Sequence, residues 1–230
     1  MNKVLFRILA FATIFANAAR GQGTFQNLDF ESAKLIFPDP SYPYFLAATN
    51  ALPGWSAFSG TNQLTGIYYD EGAVLSDVML FGFFSGVLSG NFDVSLAHPN
   101  GSPSGSISQT GLVPSDAQSL FFEASTAGLL LSMNGQNLSY LPISNGQNSS
   151  GYKYTVYGAN ISAFAGQSAT LTFSTIPGGG AFLDNIQFSS QPIPEPSALS
   201  FIFLCCGILV SLRACRRQRL RSSFHRTSCR

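Results

Sequence analysis

The sequence predicts an all-β protein whose central part, residues 24–190, folds as an antiparallel β-sandwich. Three observations lead to this prediction. Aromatic residues make up 13% of the 230 residues and charged residues only 10%, so the chain has ample apolar surface for a core. Glycines, 22 in all, divide this surface into short segments. Many of these segments are rich in β-branched or aromatic residues, as strands are.

The first nineteen residues have the parts of a secretory signal peptide. Lys3 and Arg7 give a basic start, an apolar stretch follows, and the small residues Ala16 and Ala18 are spaced as a cleavage site. We therefore predict a signal-peptide helix over 1–19 and export of the chain that follows it. A buried amphipathic helix is the alternative interpretation.

Six segments of the central part have the length and composition of strands: 105–111, 118–125, 128–135, 152–159, 168–176 and 181–190. In the fifth segment, Leu171, Phe173 and Thr175 alternate with polar residues, which predicts a half-buried antiparallel strand. Residues 161–167 are predicted to form a loop or a single helical turn. Eight or more such strands would form a two-sheet sandwich of jelly-roll type.

The charge of the central part excludes one class of partner. Between Thr24 and Gln191, two lysines stand against ten acidic residues, which leaves a net charge of −8. Nucleic-acid binding rewards a basic face, so we expect no nucleic-acid partner. All four cysteines lie after residue 204. The exported part is therefore expected to be stabilised by its core or by a bound ion rather than by disulfides.

The carboxy-terminal segment divides into three parts. Residues 191–196 form a Pro-rich linker, 197–212 an uncharged apolar run, and 213–230 a basic tail. A sixteen-residue helix is about 24 Å long against a hydrocarbon core of about 30 Å, so we predict a short transmembrane helix. The basic residues after it predict that the tail stays in the cytoplasm. The arginines expected to set this topology are Arg213, Arg216, Arg217 and Arg219.

The order of these parts resembles a known sorting signal. The triplet Pro194-Glu195-Pro196, a short apolar helix and a basic end are similar to the PEP-CTERM signal of Gram-negative bacteria that make extracellular polysaccharide. This resemblance implies an exosortase, a membrane transpeptidase-like enzyme, as partner, with cleavage near the triplet. It also implies transient membrane anchoring and a final location at the cell surface or in the extracellular matrix. A single-span membrane protein with a Pro-rich linker is the alternative.

The central part also resembles a family. NLDFES (27–32), LPGW (52–55), ISQTGLVP (107–114), NISAFAGQSATLTFST (160–175) and FLDNIQF (182–188) are similar, in order and spacing, to galactose-binding-like jelly-roll modules, which include many carbohydrate-binding modules. The resemblance implies polysaccharide binding and a structural calcium held by Glu31 and Asp184. Calcium takes six to eight oxygens, so backbone carbonyls and water would complete the site. Alternatively, Asp184 caps a turn and Glu31 is a solvated strand end.

Aromatic side chains are the candidates for ligand contact. Trp55 could stack on a sugar ring or fill the core. Tyr68 and Tyr69, followed by two acidic residues, could offer an aromatic surface to sugar hydroxyls or cover an end of the sandwich.

The sequence argues against most catalytic chemistry. The exported part contains a single histidine, His98, and no cysteine, so Cys–His chemistry and clustered-histidine zinc sites are excluded there. We therefore predict an exported, non-enzymatic surface or matrix protein that is sorted through its tail and binds polysaccharide. A purely structural, membrane-anchored surface protein and a carbohydrate-active enzyme are the alternatives.

Overall fold

The computed structural model describes residues 23–39, 44–70, 76–82, 86–98 and 103–193. The predicted signal peptide, the triplet Pro194-Glu195-Pro196, the apolar run 197–212 and the basic tail lie outside these ranges. Within the ranges that are described, no helix has the length and apolar character needed to cross a membrane.

The described residues form fourteen β-strands, one short helix and one 3₁₀ turn. The strands are β1 (Phe45–Ala47), β2 (Ser56–Ser59), β3 (Asn62–Gln63), β4 (Gly66–Tyr69), β5 (Val78–Gly82), β6 (Phe92–Ala97), β7 (Gly105–Leu112), β8 (Ser119–Ala124), β9 (Leu129–Met133), β10 (Gln136–Leu138), β11 (Tyr140–Gln147), β12 (Lys153–Asn160), β13 (Ser168–Thr175) and β14 (Gly180–Ser189). The helix α1 spans Ala48–Ala51, and the 3₁₀ turn spans Ser162–Phe164.

The strands form two sheets, which confirms the predicted all-β sandwich. The larger sheet has the order β1-β4-β5-β6-β14-β8-β12-β11, and the smaller one has the order β10-β9-β13-β7-β2-β3. Pairing among the described strands is antiparallel except between β4 and β5, which are parallel. Strand direction depends on which strands become neighbours, and the composition of a single strand does not record this.

All six predicted strands are present, as β7, β8, β9, β12, β13 and β14. The predicted alternation in β13 is confirmed, because Leu171, Phe173 and Thr175 are buried between the sheets. The 3₁₀ turn lies in the segment predicted as a loop or helical turn. Strand β11 was not predicted, since it contains Pro142 and Gly146. It is an edge strand, and its register shifts next to Pro142, which is where sheets tolerate proline.

An aromatic cluster lies at the centre of the core. Phe122 of β8 is fully buried, and its ring lies 5.1 Å from that of Phe173 in the opposite sheet. The rings of Tyr140 and Tyr157 lie 5.2 and 5.6 Å from Phe122. These contacts hold the β11–β12 hairpin against the core, so the hairpin is a firm support for the side chains on its outer surface.

The Tyr140 hydroxyl adds a polar connection between the sheets. It donates to the carbonyl oxygens of Leu129, at 2.7 Å, and Ala127, at 3.1 Å. We expect Tyr140→Phe to lower the free energy of unfolding by about 1 kcal/mol, the usual net value of such a hydrogen bond. Urea denaturation of the purified protein measures the difference. Tyr152→Phe, at a half-exposed ring, is the control, and equal midpoints for both variants would contradict the expectation.

Candidate functional site

Trp55 fills the core, which was one of the two positions considered for it from the sequence. Its side chain is 5% exposed, and its ring centre lies 5.9 Å from that of Phe30. The indole N–H donates to the carbonyl oxygen of Asn27 at 3.0 Å. Trp55 therefore fixes the loop of residues 27–32 to the core, and its ring has little surface left for a sugar.

Tyr68 and Tyr69 point to opposite sides of β4, as neighbours in a strand do. Tyr69 packs between Phe37 and Phe92, with ring centres at 6.1 and 6.4 Å. Burial, and then the charge of Asp70, raise the pKa of Tyr69. Tyr69 is thus mainly a packing residue.

Tyr68 instead lines a cavity near the edge of the larger sheet. Its ring meets that of Phe45 edge to face, with centres 5.4 Å apart. Pro38 and Asp39 complete the described lining of this cavity, whose volume is about 330 Å³. We call the cavity formed by Pro38, Asp39, Phe45 and Tyr68 the edge cleft.

Glu31 is occupied by hydrogen bonds. Its carboxylate accepts from the backbone N–H and the side-chain amide of Asn91, both at 2.7 Å, and from the backbone N–H of Phe92 at 3.0 Å. Glu31 therefore fastens the chain that enters β6 to the loop of residues 27–32. Its charge still reaches Asp184, because it is one of the causes that raise the pKa of that residue.

Asp184 belongs to a line of three buried acids that crosses the larger sheet. It is the register partner of Glu123 in β8. Leu183 pairs with Val94 of β6, so the antiparallel register places Asp93 on the other side of Asp184. We call Asp93, Asp184 and Glu123 the acid row. Their exposed fractions are 0%, 1% and 7%.

Each member of the acid row has one satisfied and one unsatisfied oxygen. Asp93 Oδ2 accepts from the backbone N–H of Leu88 at 3.0 Å. Asp184 Oδ1 accepts from the backbone N–H of Asn185 at 2.6 Å, and Glu123 Oε1 accepts from the Asn185 side-chain amide at 3.0 Å. The buried oxygens Asp93 Oδ1, Asp184 Oδ2 and Glu123 Oε2 have no hydrogen-bond partner. Unpaired buried oxygens favour the protonated acid or a nearby cation.

The electrostatics agree with this conclusion. Burial raises the pKa of Asp93 to about 7 and that of Asp184 to about 9. Repulsion from Asp93, Glu123 and Glu31 adds to the increase in the pKa of Asp184. Burial also raises the pKa of Glu123. At neutral pH, Asp184 therefore holds a proton unless a cation replaces it.

Asp184 and Glu31, the two predicted calcium ligands, differ in how their carboxylates are satisfied. Asp184 Oδ2 is buried and unpartnered, as the oxygen of a cation ligand would be in the absence of the ion. Both oxygens of Glu31, by contrast, already accept hydrogen bonds from amides. Among the described residues, no three His, Cys, Asp or Glu side chains are grouped so that they could hold a metal. A calcium ion here would therefore need backbone carbonyls and water, as the sequence analysis supposed.

A second and larger cavity lies along the β11–β12 hairpin, and sequence reasoning did not find it. Its volume is about 570 Å³. It is lined by Ser125, Asn145, Gly146, Gln147, Lys153, Tyr154 and Thr155. We call it the hairpin cleft. A signal was present in the sequence, because Tyr152 and Tyr154 in YKYTVYG have the two-residue spacing of one face of a strand. The partner strand, β11, contains Pro142 and Gly146, however, and was not predicted.

Tyr154 is the aromatic wall of the hairpin cleft. Its register partner is Gly146, and the ring lies so close across this glycine that a Cβ there would be 2.3 Å from the ring. Glycine is thus required for the observed position of the ring. Burial raises the pKa of Tyr154, and the charges of Glu123 and Asp184 raise it further. Glu123 and Asp184 of the acid row therefore lie near Tyr154.

Amide and hydroxyl groups form the rest of the cleft. The Thr155 hydroxyl donates to Asn145 Oδ1 at 3.0 Å, and Gln147 Nε2 donates to the carbonyl oxygen of Gly151 at 2.9 Å. Each of these side chains has further donors or acceptors. The cleft therefore combines one aromatic face with several groups that can exchange hydrogen bonds with a polyhydroxylated ligand.

Comparison with known proteins gives only distant likenesses. No family model matches the sequence, and no curated protein matches it significantly. Among solved structures, the enzymatically active domain of tailspike protein 4 from bacteriophage CBA120 is 11% identical with a TM-score of 0.40, over 73% of this chain and 21% of that one. A family 11 carbohydrate-binding module from Clostridium thermocellum, in complex with a β-1,3-1,4-mixed-linked tetrasaccharide, is 16% identical. Its TM-score is 0.32, over 66% of this chain and 97% of that one.

This chain therefore spans about a fifth of the tailspike chain. Because both TM-scores are low, we base the functional proposal on the geometry of this chain alone.

Proposed function

We propose that this protein is an exported, non-enzymatic surface or matrix protein whose jelly-roll body, of the galactose-binding-like kind, binds a neutral polysaccharide. The observation that carries the proposal is the hairpin cleft, in which the Tyr154 ring stands beside amide and hydroxyl side chains. Sugars present apolar C–H faces and hydroxyl edges, and such a cleft is complementary to both. Its volume of about 570 Å³ lies in the range of small-molecule sites.

The charge of the body favours a neutral polysaccharide over an acidic one. Residues 24–191 carry a formal net charge of −8, which stays negative even when members of the acid row hold protons. Lys153 is the single cation among the residues that line the hairpin cleft. An acidic polysaccharide would meet long-range repulsion here, whereas a neutral one would not.

The proposed delivery rests on the two ends of the chain. The amino-terminal segment 1–19 would direct export, and the apolar run 197–212 would anchor the chain transiently. Arg213, Arg216, Arg217 and Arg219 would keep the tail in the cytoplasm. An exosortase-type protease would then cut near Pro194-Glu195-Pro196. The support is the coincidence of these features in one chain.

We also propose a structural calcium ion at Asp184. The support is the unpartnered buried Asp184 Oδ2 and the absence of cysteine from the exported part. The ion would supply the positive charge that the acid row lacks among the described residues. We propose no catalytic role for the row, because Asp93 and Asp184 are almost completely buried.

The Tyr154 ring offers the direct test of polysaccharide binding. We expect Tyr154→Ala to weaken binding about tenfold, which corresponds to the loss of about 1.4 kcal/mol of stacking and burial. Tyr154→Phe keeps the ring and should lose much less. The measurement is affinity electrophoresis in gels that contain mixed-linkage β-glucan, dextran or alginate.

Leu130→Ala, at a half-exposed position on the smaller sheet, is the matched control. It should bind as the unmodified protein does, and alginate should retard none of the proteins. Equal retardation of Tyr154→Ala and the unmodified protein would contradict the assignment of the cleft.

A further inference from the structure

We propose that the protein is bivalent and cross-links polysaccharide chains, with the edge cleft as a second binding site. This inference rests on the proposed function, because it supposes that the hairpin cleft binds polysaccharide. It adds a second site, toward the opposite edge of the larger sheet, and a further activity, the bridging of two polysaccharide chains.

The two clefts are built in the same way. In the edge cleft, the ring of Phe45 lies across Gly66 of the neighbouring strand, and a Cβ on that glycine would be 2.4 Å from the ring. In the hairpin cleft, Tyr154 lies across Gly146, which is its direct register partner. Each glycine leaves room for an aromatic ring to lie close against the neighbouring strand.

The edge cleft has the chemistry of a sugar site. Phe45 is 36% exposed, which is high for a phenylalanine in a strand, and Tyr68 meets it edge to face. Asp39 brings a carboxylate beside these two rings. Asp39 already interacts with other groups of the protein. A carboxylate has about four acceptor positions, so Asp39 can also accept from a sugar hydroxyl, and the cleft pairs an apolar wall with an acceptor. A neutral sugar fits this combination, whereas an acidic one would be repelled by Asp39.

The positions of the clefts favour two separate chains. In the larger sheet, β4 and β12 are five strand steps apart. At about 4.8 Å per step, the two clefts are separated by about 24 Å. Adjacent strands rotate by about 20–25°, so five steps turn the sheet by about 100–125°. With this average twist, we expect the two rings to face different directions, so that one stiff polysaccharide chain would not lie on both.

Bridging of coated beads tests the proposal. Protein purified from its native host is mixed with latex beads that carry mixed-linkage β-glucan or dextran, and both bound protein and light scattering are recorded. We expect the unmodified protein to bind and to aggregate the beads. Phe45→Ala and Tyr154→Ala should each still bind the beads, though more weakly than the unmodified protein, and should reduce the rate of aggregation at least tenfold, because each keeps one cleft.

Two further variants guard against misfolding. Tyr68→Ala alters the edge cleft without removing Phe45, and Gly146→Ala displaces the Tyr154 ring because the new Cβ would contact it. Tyr68→Ala should have the same effect as Phe45→Ala, and Gly146→Ala should have the same effect as Tyr154→Ala. Both proteins should keep the circular dichroism spectrum of the unmodified protein. The variant that combines Phe45→Ala with Tyr154→Ala should neither bind nor aggregate beads.

The outcomes separate this inference from the proposed function. Binding without aggregation by the unmodified protein would overturn bivalency and leave polysaccharide binding intact. Loss of all binding in Tyr154→Ala, with none lost in Phe45→Ala, would show a single site and overturn bivalency as well. Aggregation that persists in both single variants would also overturn it, since bridging would then arise elsewhere. No binding to either glucan would overturn both proposals.

Discussion

The free energy of unfolding is expected to fall as the pH rises from about 4 to about 9 when no divalent cation is present. In the folded protein, burial raises the pKa of Asp93 from its ordinary value of 3.8 to about 7. Across this interval, the folded protein keeps a proton that the unfolded chain has lost. Stability therefore decreases with pH, by about 1.4 kcal/mol per pH unit for each such proton.

Asp184 extends the effect to higher pH. Its pKa is raised from 3.8 to about 9, first by burial and then by the neighbouring charges of the acid row. The row titrates as a unit, so the stability profile is expected to show one broad decline rather than separate steps. Thermal unfolding in the presence of a chelator should thus give a clearly lower midpoint at pH 8 than at pH 5.

Replacing members of the acid row by the corresponding amides identifies which residues cause the decline in stability with pH. Asp93→Asn keeps an oxygen that can accept from Leu88 but cannot ionise, so the profile should flatten between pH 4 and 7. Asp184→Asn should flatten it up to about pH 9. Asp116→Asn removes an exposed carboxylate and serves as the control. The same midpoint for the unmodified protein at pH 5 and pH 8 would contradict the role given to the row.

Calcium added to the same measurement tests the proposed ion. A carboxylate must be ionised to bind calcium, so the ion should raise the unfolding temperature strongly at pH 8 and weakly at pH 5. Asp184→Asn should abolish this response. If calcium changes nothing at either pH, the ion proposal is wrong, whereas the pH dependence without calcium is still expected.

The strands that the sequence predicted are those with a strong local pattern. Strand β13 alternates buried and polar residues along its whole length, so its burial could be predicted without knowledge of its neighbours. Strand β11 could not be predicted in this way, because Pro142 and Gly146 weaken the local pattern and only its position at the sheet edge allows them.

The acid row depends on long-range register and was not predictable. Asp93, Glu123 and Asp184 lie about thirty to ninety residues from one another, and they become neighbours only through the pairing of β6, β14 and β8. The sequence did single out Asp184. It paired this residue with Glu31, whereas in the structure Glu31 binds the amides at the start of β6.

Cleavage is expected to set the carboxy terminus of the mature protein. We expect the mature protein from its native host to end near Pro194-Glu195-Pro196 when the exosortase-type protease is present. In a strain that lacks the protease, the protein should keep the whole tail and stay in the membrane fraction. Mass spectrometry of the intact protein distinguishes these species, because cleavage removes most of the residues after Ile193.

The prolines of the triplet give this prediction a physical basis. Proline cannot continue a helix and disfavours helical geometry in the residue before it, so the bonds around Glu195 should stay extended and open to an enzyme. Pro194→Ala combined with Pro196→Ala would let the predicted membrane helix extend through this segment, so we expect the uncleaved tail to accumulate. Replacement of Gln191 by Ala, just before the linker prolines, is the control and should leave cleavage unchanged.

The basic tail separates sorting from simple anchoring. Changing Arg213, Arg216, Arg217 and Arg219 to Lys preserves the charge that holds the tail in the cytoplasm, so the chain should still be exported in the same orientation. Changing the same four residues to Gln removes most of that charge. It should reduce the fraction of correctly oriented and cleaved protein. If the intact tail persists in the membrane fraction with and without the protease, the segment 197–212 acts as an ordinary anchor, and the protein is a single-span surface protein.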